Sequence, residues 1–134
     1  MTYSSGDTLG ERKFGPVSRT DFVRYQGASG DFNPIHHDEL FAKSAGFPAV
    51  FSVGMLQAGY LATYATDLFG PDKVRRFRVQ FREQVWPGDE LTCSGTVSAV
   101  RTDAGSGEKL VDLELELRNQ NGATAIRGSA TFAF

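Results

Sequence analysis

Cysteine is almost absent from this 134-residue chain, and the single Cys93 can neither close an internal disulfide nor supply a zinc cluster. No metal site and no cofactor is expected, and the chain suits a reducing compartment, with the cytoplasm as the expected location. Excess charge of either sign is also missing: fourteen basic against sixteen acidic side chains leave a formal charge of −2. No global positive field would draw in a phosphate backbone, so nucleic-acid binding is disfavoured as the main activity. Repeats, low-complexity tracts and linker-like runs are lacking, and the length is that of one domain, expected to span residues 1–134. An uninterrupted apolar run is lacking as well. Residues 44–66 carry no charged side chain and are long enough to span a bilayer, but Pro48, Ser52, Gln57, Thr63, Gly46, Gly54 and Gly59 break them up. They read as a buried helix with its entry loop, not a membrane span. The first fourteen residues are polar and hold no apolar core of a secretory signal.

Two regimes of patterning are present. From about Ser18 to Gly70 the sequence suits helices and loops. Ser18 with Asp21 forms a capping-box pattern that starts a helix running to about Ala28. A second short helix is expected from Asp38 to Ala45, with Asp38 as its cap. Residues 54–69 are apolar on nearly every side, the pattern of a helix buried on most sides, and Gly70-Pro71 ends it. From Val74 onward the period changes to two. Phe77, Val79 and Phe81 alternate with Arg76, Arg78, Gln80 and Arg82, giving a strand with one wet face. Leu91, Cys93 and Val97 continue on a second strand. Val111, Leu113, Leu115 and Leu117 mark a third, and Asn121-Gly122 is a hairpin signal before a last strand to Phe134. One apolar helix followed by four antiparallel strands is an α+β architecture, with an antiparallel sheet curled around a central helix.

The polar run from Ser29 to Asp38 holds both histidines of the chain beside two carboxylates. Asp31 and Asn33 can be turn formers that bond their own backbone. They can also be part of a site, since a carboxylate and an imidazole on one loop can hold a water between them and move its protons. A carboxylate is a weak base unless its surroundings are partly dry, and the uncharged stretch 44–66 suits that. Gly54, opening the buried helix, can offer its backbone N–H to a developing oxyanion, or can simply permit close packing.

Gly30-Asp31-Phe32-Asn33-Pro34-Ile35-His36 resembles the G-D-x-N-P-[LIV]-H signature of the (R)-specific enoyl-thioester hydratases, the MaoC-like dehydratases. Ala45-Gly46-Phe47, Val53-Gly54-Met55-Leu56 and Pro87-Gly88-Asp89-Glu90-Leu91 are similar to further motifs of that family. The resemblance runs from Ser18 to Val100. It implies a single hotdog domain, a long helix wrapped by an antiparallel sheet. It also implies reversible hydration of trans-2-enoyl thioesters of CoA or acyl-carrier protein to (R)-3-hydroxyacyl thioesters. The residues carried over are Asp31 and His36 as the catalytic pair, with Asn33 supporting the loop. His37 falls one position outside the signature and reads as a bystander. Val53 stands where many members have a histidine, and Ala62 where some have a serine.

Arg76, Arg78 and Arg82 form a local basic patch, either a solvated sheet face or a landing site for the phosphates of coenzyme A or of a carrier's phosphopantetheine. A sheet with a bare edge and a long apolar helix point to a homodimer, or to a heterodimer with a related chain. Two other functions stay open: an accessory subunit that shapes the acyl tunnel of a heteromeric dehydratase, and an acyl-CoA thioesterase on the same fold.

Overall fold

Period-two alternation in the second half of the chain becomes four long strands, and a fifth comes from the N-terminal segment. In the computed structural model, which describes residues 2–134, the strands are β1 (Thr8–Phe14), β2 (Val74–Phe81), β3 (Leu91–Thr102), β4 (Lys109–Arg118) and β5 (Thr124–Ala133). The helices are α1 (Arg19–Ser29), α2 (Glu39–Ser44) and α3 (Gly54–Phe69). The strands pair antiparallel in the order β1-β3-β4-β5-β2. The centre is therefore β4, whose Val111, Leu113, Leu115 and Leu117 are all buried, and the two edges are β1 and β2.

The sheet packs on α3 through Ala58, Leu61, Tyr64 and Ala65. Close approach is possible because β5 carries Gly128 under the helix. A Cβ there would stand 3.1 Å from a Leu61 methyl. Full burial of Leu61, Leu113, Leu117, Ile126 and Phe132 contributes roughly 1.5–3 kcal/mol each. Helix α1 starts as its sequence dictates: Ser18 Oγ accepts from the Asp21 N–H while the Asp21 carboxylate accepts from the Ser18 N–H. It stops at Gly30, which takes a left-handed conformation at φ 76° and returns its N–H to the Gln26 carbonyl.

Three expectations need correction. Strand β1 is absent from the pattern of the sequence because it is a polar edge strand, with only Leu9 and Phe14 half-buried. Tertiary contacts hold it. Phe14 stacks on Tyr60 with centroids 4.7 Å apart, and the Tyr64 hydroxyl donates to the Gly10 carbonyl at 2.5 Å. Helix α3 is not covered on most sides, since Met55 and Leu68 are 54% and 43% exposed; the sheet covers one face only. Phe81 and Arg82 leave the alternation. Phe81 is half exposed, and Arg82 lies past the end of β2, donating its N–H to the Ala125 carbonyl.

Candidate active site

The signature loop is built largely from its own polar side chains. Asp31 accepts the Asn33 N–H at 3.2 Å, and Asn33 accepts the Ile35 N–H at 3.1 Å. Asn33 thereby caps the short 3₁₀ turn Pro34–His36, which Pro34 opens at a position where its missing N–H costs nothing. Asp38 then caps α2 through the Phe41 N–H, as expected.

The turn delivers His36 to the interior, where it is 8% exposed. Its Nδ1 lies 2.7 Å from the Phe51 carbonyl oxygen, and its ring stands edge-on to the Phe51 ring. A carbonyl can only accept, so Nδ1 carries the proton and the neutral ring keeps its lone pair on Nε2. Phe51 is itself wedged between Phe47 and Trp86. His36 is thus held by an aromatic cluster from two separate stretches of chain, residues 47–51 and Trp86.

His36 lines a cavity of about 240 Å³ with Phe51, Ser52, Gly54 and residues 81–84, including Arg82 and Glu83. Gly54 is the first residue of α3, and Val53 before it provides no capping side chain. The Ser52 hydroxyl, one residue earlier, donates to Gln57 Oε1 at 2.7 Å and does not cap the helix. The α3 N-terminus, with its partial positive charge, therefore opens on the same cavity as His36. Close packing holds there too: a Cβ on Gly54 would come within 3.0 Å of the Phe81 ring. A larger hollow of about 640 Å³ crosses β1, β3 and β4, but neither Asp31, His36 nor Gly54 lines it.

His36 and Gly54 are brought together, and Asp31 is not part of the cavity wall. Asp31 is exposed in the single chain, so the partly dry setting expected for it is not supplied by residues 44–66. The loop bends its side chain outward, where only a bound molecule or a second chain can exclude water. Arg76 and Arg78 lie exposed on the edge strand β2, while Arg82 reaches the cavity. Among the described residues none of these three makes an ion pair; Arg75, beside them, pairs with Glu108 at 2.7 Å. No group of three or more metal-ligating side chains gathers among the described residues.

One residue of the site is not apparent from the motif. Gln26, 2% exposed on α1, donates from Nε2 to the main-chain carbonyls of Asp31 and Asn33, at 2.9 and 3.0 Å. Its Oε1 lies 2.9 Å from His37 Nδ1. The available signal was spacing, because Gln26 stands four residues after the buried Phe22, on the same helix face.

This hotdog arrangement and its loop place the protein in a known class. Residues 2–119 match the MaoC like domain family, and the chain belongs to it. An (R)-specific enoyl-CoA hydratase from Aeromonas caviae is 31% identical over 125 residues, which cover 89% of this chain and 85% of that protein. Fatty acid synthase subunit beta from Aspergillus oryzae is 29% identical over 127 residues, covering 84% of this chain but only 6% of that much longer protein. Among solved structures, the ChsH1-ChsH2 complex from Mycobacterium tuberculosis contains a chain that superimposes with a TM-score of 0.84 at 25% identity, covering 99% of both chains. No helix among the described residues is long and apolar enough to cross a membrane.

Proposed function

We propose that the chain, as one domain, catalyses the reversible hydration of a trans-2-enoyl thioester to the (R)-3-hydroxyacyl thioester. The observation that carries the proposal is the cavity shared by His36 and the uncapped start of α3. His36 and Gly54, the first residue of α3, both line it, which supports reading the imidazole as a proton carrier beside a backbone donor. In this reading a water is held between the Asp31 carboxylate and His36 Nε2. Its oxygen bonds to the β-carbon as one of its protons passes to the pair, and the α-carbon receives a proton from the same pair. Water is added in sum, and both side chains return to their starting states. The charge that builds on the thioester oxygen is met by the Gly54 N–H and the helix end behind it. Similarity to the Aeromonas hydratase supports this reaction class. CoA and acyl-carrier thioesters both fit the reading.

The exposure of Asp31 favours an assembly over an isolated chain, and we extend the proposal to a homodimer or a pair with a related chain. The likeness to one chain of a two-protein complex supports the paired form. The test is a panel of enoyl-CoAs of increasing chain length, followed by loss of conjugated-enoyl absorbance, with the chain alone and mixed with candidate partner chains. Hydration by the chain alone supports a self-sufficient enzyme. Hydration only in a mixture supports the paired form. If no thioester is hydrated in either setting, the hydratase reading fails.

A further inference from the structure

We infer that Gln26 is the positioning residue of the signature loop and that His37, by donating to the Gln26 side-chain oxygen, holds its amide in the direction the loop carbonyls require. The inference rests on the hydratase reading of Asp31 and deepens it.

Gln26 is a buried amide one turn from the buried Phe22, a placement that costs free energy unless its hydrogen bonds are made. They are made in only one sense. Nε2 faces the carbonyl oxygens of Asp31 and Asn33, which only accept, so both of its hydrogens are committed there. Turning the amide over would set Oε1 against those same oxygens. Oε1 must therefore face His37, and His37 Nδ1 must carry a proton to meet it. That donor is present in the neutral Nδ1–H tautomer and in the imidazolium alike, so the lock does not depend on the charge of His37.

The network clamps both ends of the segment that bears Asp31. The backbone of Gln26 also takes the Gly30 N–H at 2.9 Å, so one residue holds the loop at Gly30, Asp31 and Asn33. His36 is anchored separately, by Phe51. The relative placement of the two groups thus depends on two anchors, Gln26 for the loop that bears Asp31 and Phe51 for the ring of His36, and the Asn33 carbonyl joins them by accepting both the Gln26 amide and the His36 N–H at 3.2 Å. Gln26 and His37 do not line the cavity, so their loss should spoil alignment and leave substrate binding in place.

The test compares the parent with Gln26→Ala, His37→Ala and His37→Asn, the last keeping an N–H donor close to the place of Nδ1. Three readouts are taken: kcat and KM for an enoyl-CoA that the parent hydrates, the melting temperature, and NMR signals of the backbone amides of residues 30–35 and the Gln26 side-chain amide. Gln26→Ala should lower kcat by about 10- to 100-fold with KM little changed, since a small misplacement of reacting groups has that effect. It should also broaden the loop signals. His37→Ala should lower kcat by about threefold to tenfold and speed exchange of the Gln26 amide hydrogens. His37→Asn should restore both. Because the two residues act as one unit, adding His37→Ala to Gln26→Ala should cost nothing more. Unchanged kcat and unchanged loop signals in Gln26→Ala would overturn the inference. So would losses in His37→Asn equal to those in His37→Ala, or a fall in kcat that only tracks the loss of folded protein. If Gln26→Ala does not fold, the two His37 variants decide the matter, His37 being exposed. If the parent hydrates no enoyl thioester, the hydratase reading has failed. The loop and amide signals then decide whether Gln26 and His37 hold the loop.

Discussion

His36 presents Nδ1 to the carbonyl oxygen of Phe51 at 2.7 Å, and this one bond sets the chemistry its ring can perform. It fixes the tautomer, leaves Nε2 as the proton-accepting nitrogen, and orients the ring from the loop that leads into α3. The same loop ends at Gly54, so the bond that aims His36 also joins it to the start of the helix.

Asp31 and His36 should both be needed for turnover and hardly for folding. Asp31→Asn keeps size and its place in the turn but removes the carboxylate from the proton-transferring pair, so kcat should fall by about two to four orders of magnitude. His36→Ala should cost a similar amount. If both act on one water, the double variant should lose little more than either single one. Steady-state hydration of a short enoyl-CoA checks this, with circular dichroism to confirm folding. Near-normal turnover in Asp31→Asn would remove the proposed mechanism.

Gly54→Pro should separate the N–H of Gly54 from its packing. The first position of a helix tolerates proline, and Val53 already has the extended conformation that a residue before proline requires, at φ −64° and ψ 122°. The change therefore removes the donor and keeps the helix. Turnover should fall by about 100- to 1,000-fold if that donor faces the oxyanion. Gly54→Ala keeps the N–H and asks only that the half-exposed Phe81 ring shift by a few tenths of an ångström, so it should cost much less. Equal losses in the two variants, both folded, would assign Gly54 to packing alone.

Much of this was legible in the sequence because the governing interactions are local. The capping box of Ser18 and Asp21, the cap at Asp38 and the limits of α3 from Gly54 to Gly70 follow from residues a few positions apart. The alternation of β4 shows because β4 lies at the centre of the sheet with one face on the core. What was hidden is long-range. β1 is a strand because β3 pairs with it and because Tyr64 and Tyr60 hold it, and none of that is written in its own polar residues. Gln26 belongs to the site because the chain turns back at Gly30 and sets two carbonyls over its amide. The exposure of Asp31 could not be read either, since motif spacing puts residues on a loop without saying which way the loop turns.

Alkali should destabilise the protein before it ionises the core. Burial pushes the Cys93 thiol and the Tyr64 hydroxyl each up to about 12, from ordinary values of 9.0 and 10.0. In the unfolded chain these groups lose their protons first. The stability their neutral forms contribute is therefore complete below about pH 9 and is lost as pH rises toward 12. The loss is at most about 1.4 kcal/mol per group for each pH unit. Urea midpoints should fall steadily between about pH 9 and about pH 10.5, the onset and the middle of this window. Cys93→Ala should show a shallower fall despite a lower starting stability. An equally steep fall in that variant would mean that Cys93 does not contribute.

The arginines should divide by position and not act as one patch. Arg82 lines the cavity with His36, whereas Arg76 and Arg78 stand along the edge strand, pointing away from the core-facing Phe77 and Val79. A thioester whose carbonyl reaches Gly54 brings its phosphate-bearing arm past the cavity rim before it can pass along β2. Arg82→Ala should therefore raise KM for a CoA thioester by about threefold to thirtyfold, the loss of one hydrogen bond to a charged group reduced by the exposure of the arginine to water. It should also weaken the dependence of KM on salt, because one attractive charge has gone. Arg76→Ala and Arg78→Ala should each change KM by less than about threefold, because neither side chain lines the cavity and exposed charges gain little from pairing. Measuring the three variants at low and at physiological ionic strength decides between them. A larger effect at Arg76 or Arg78 than at Arg82 would move the phosphate contact from the rim of the cavity to the edge strand.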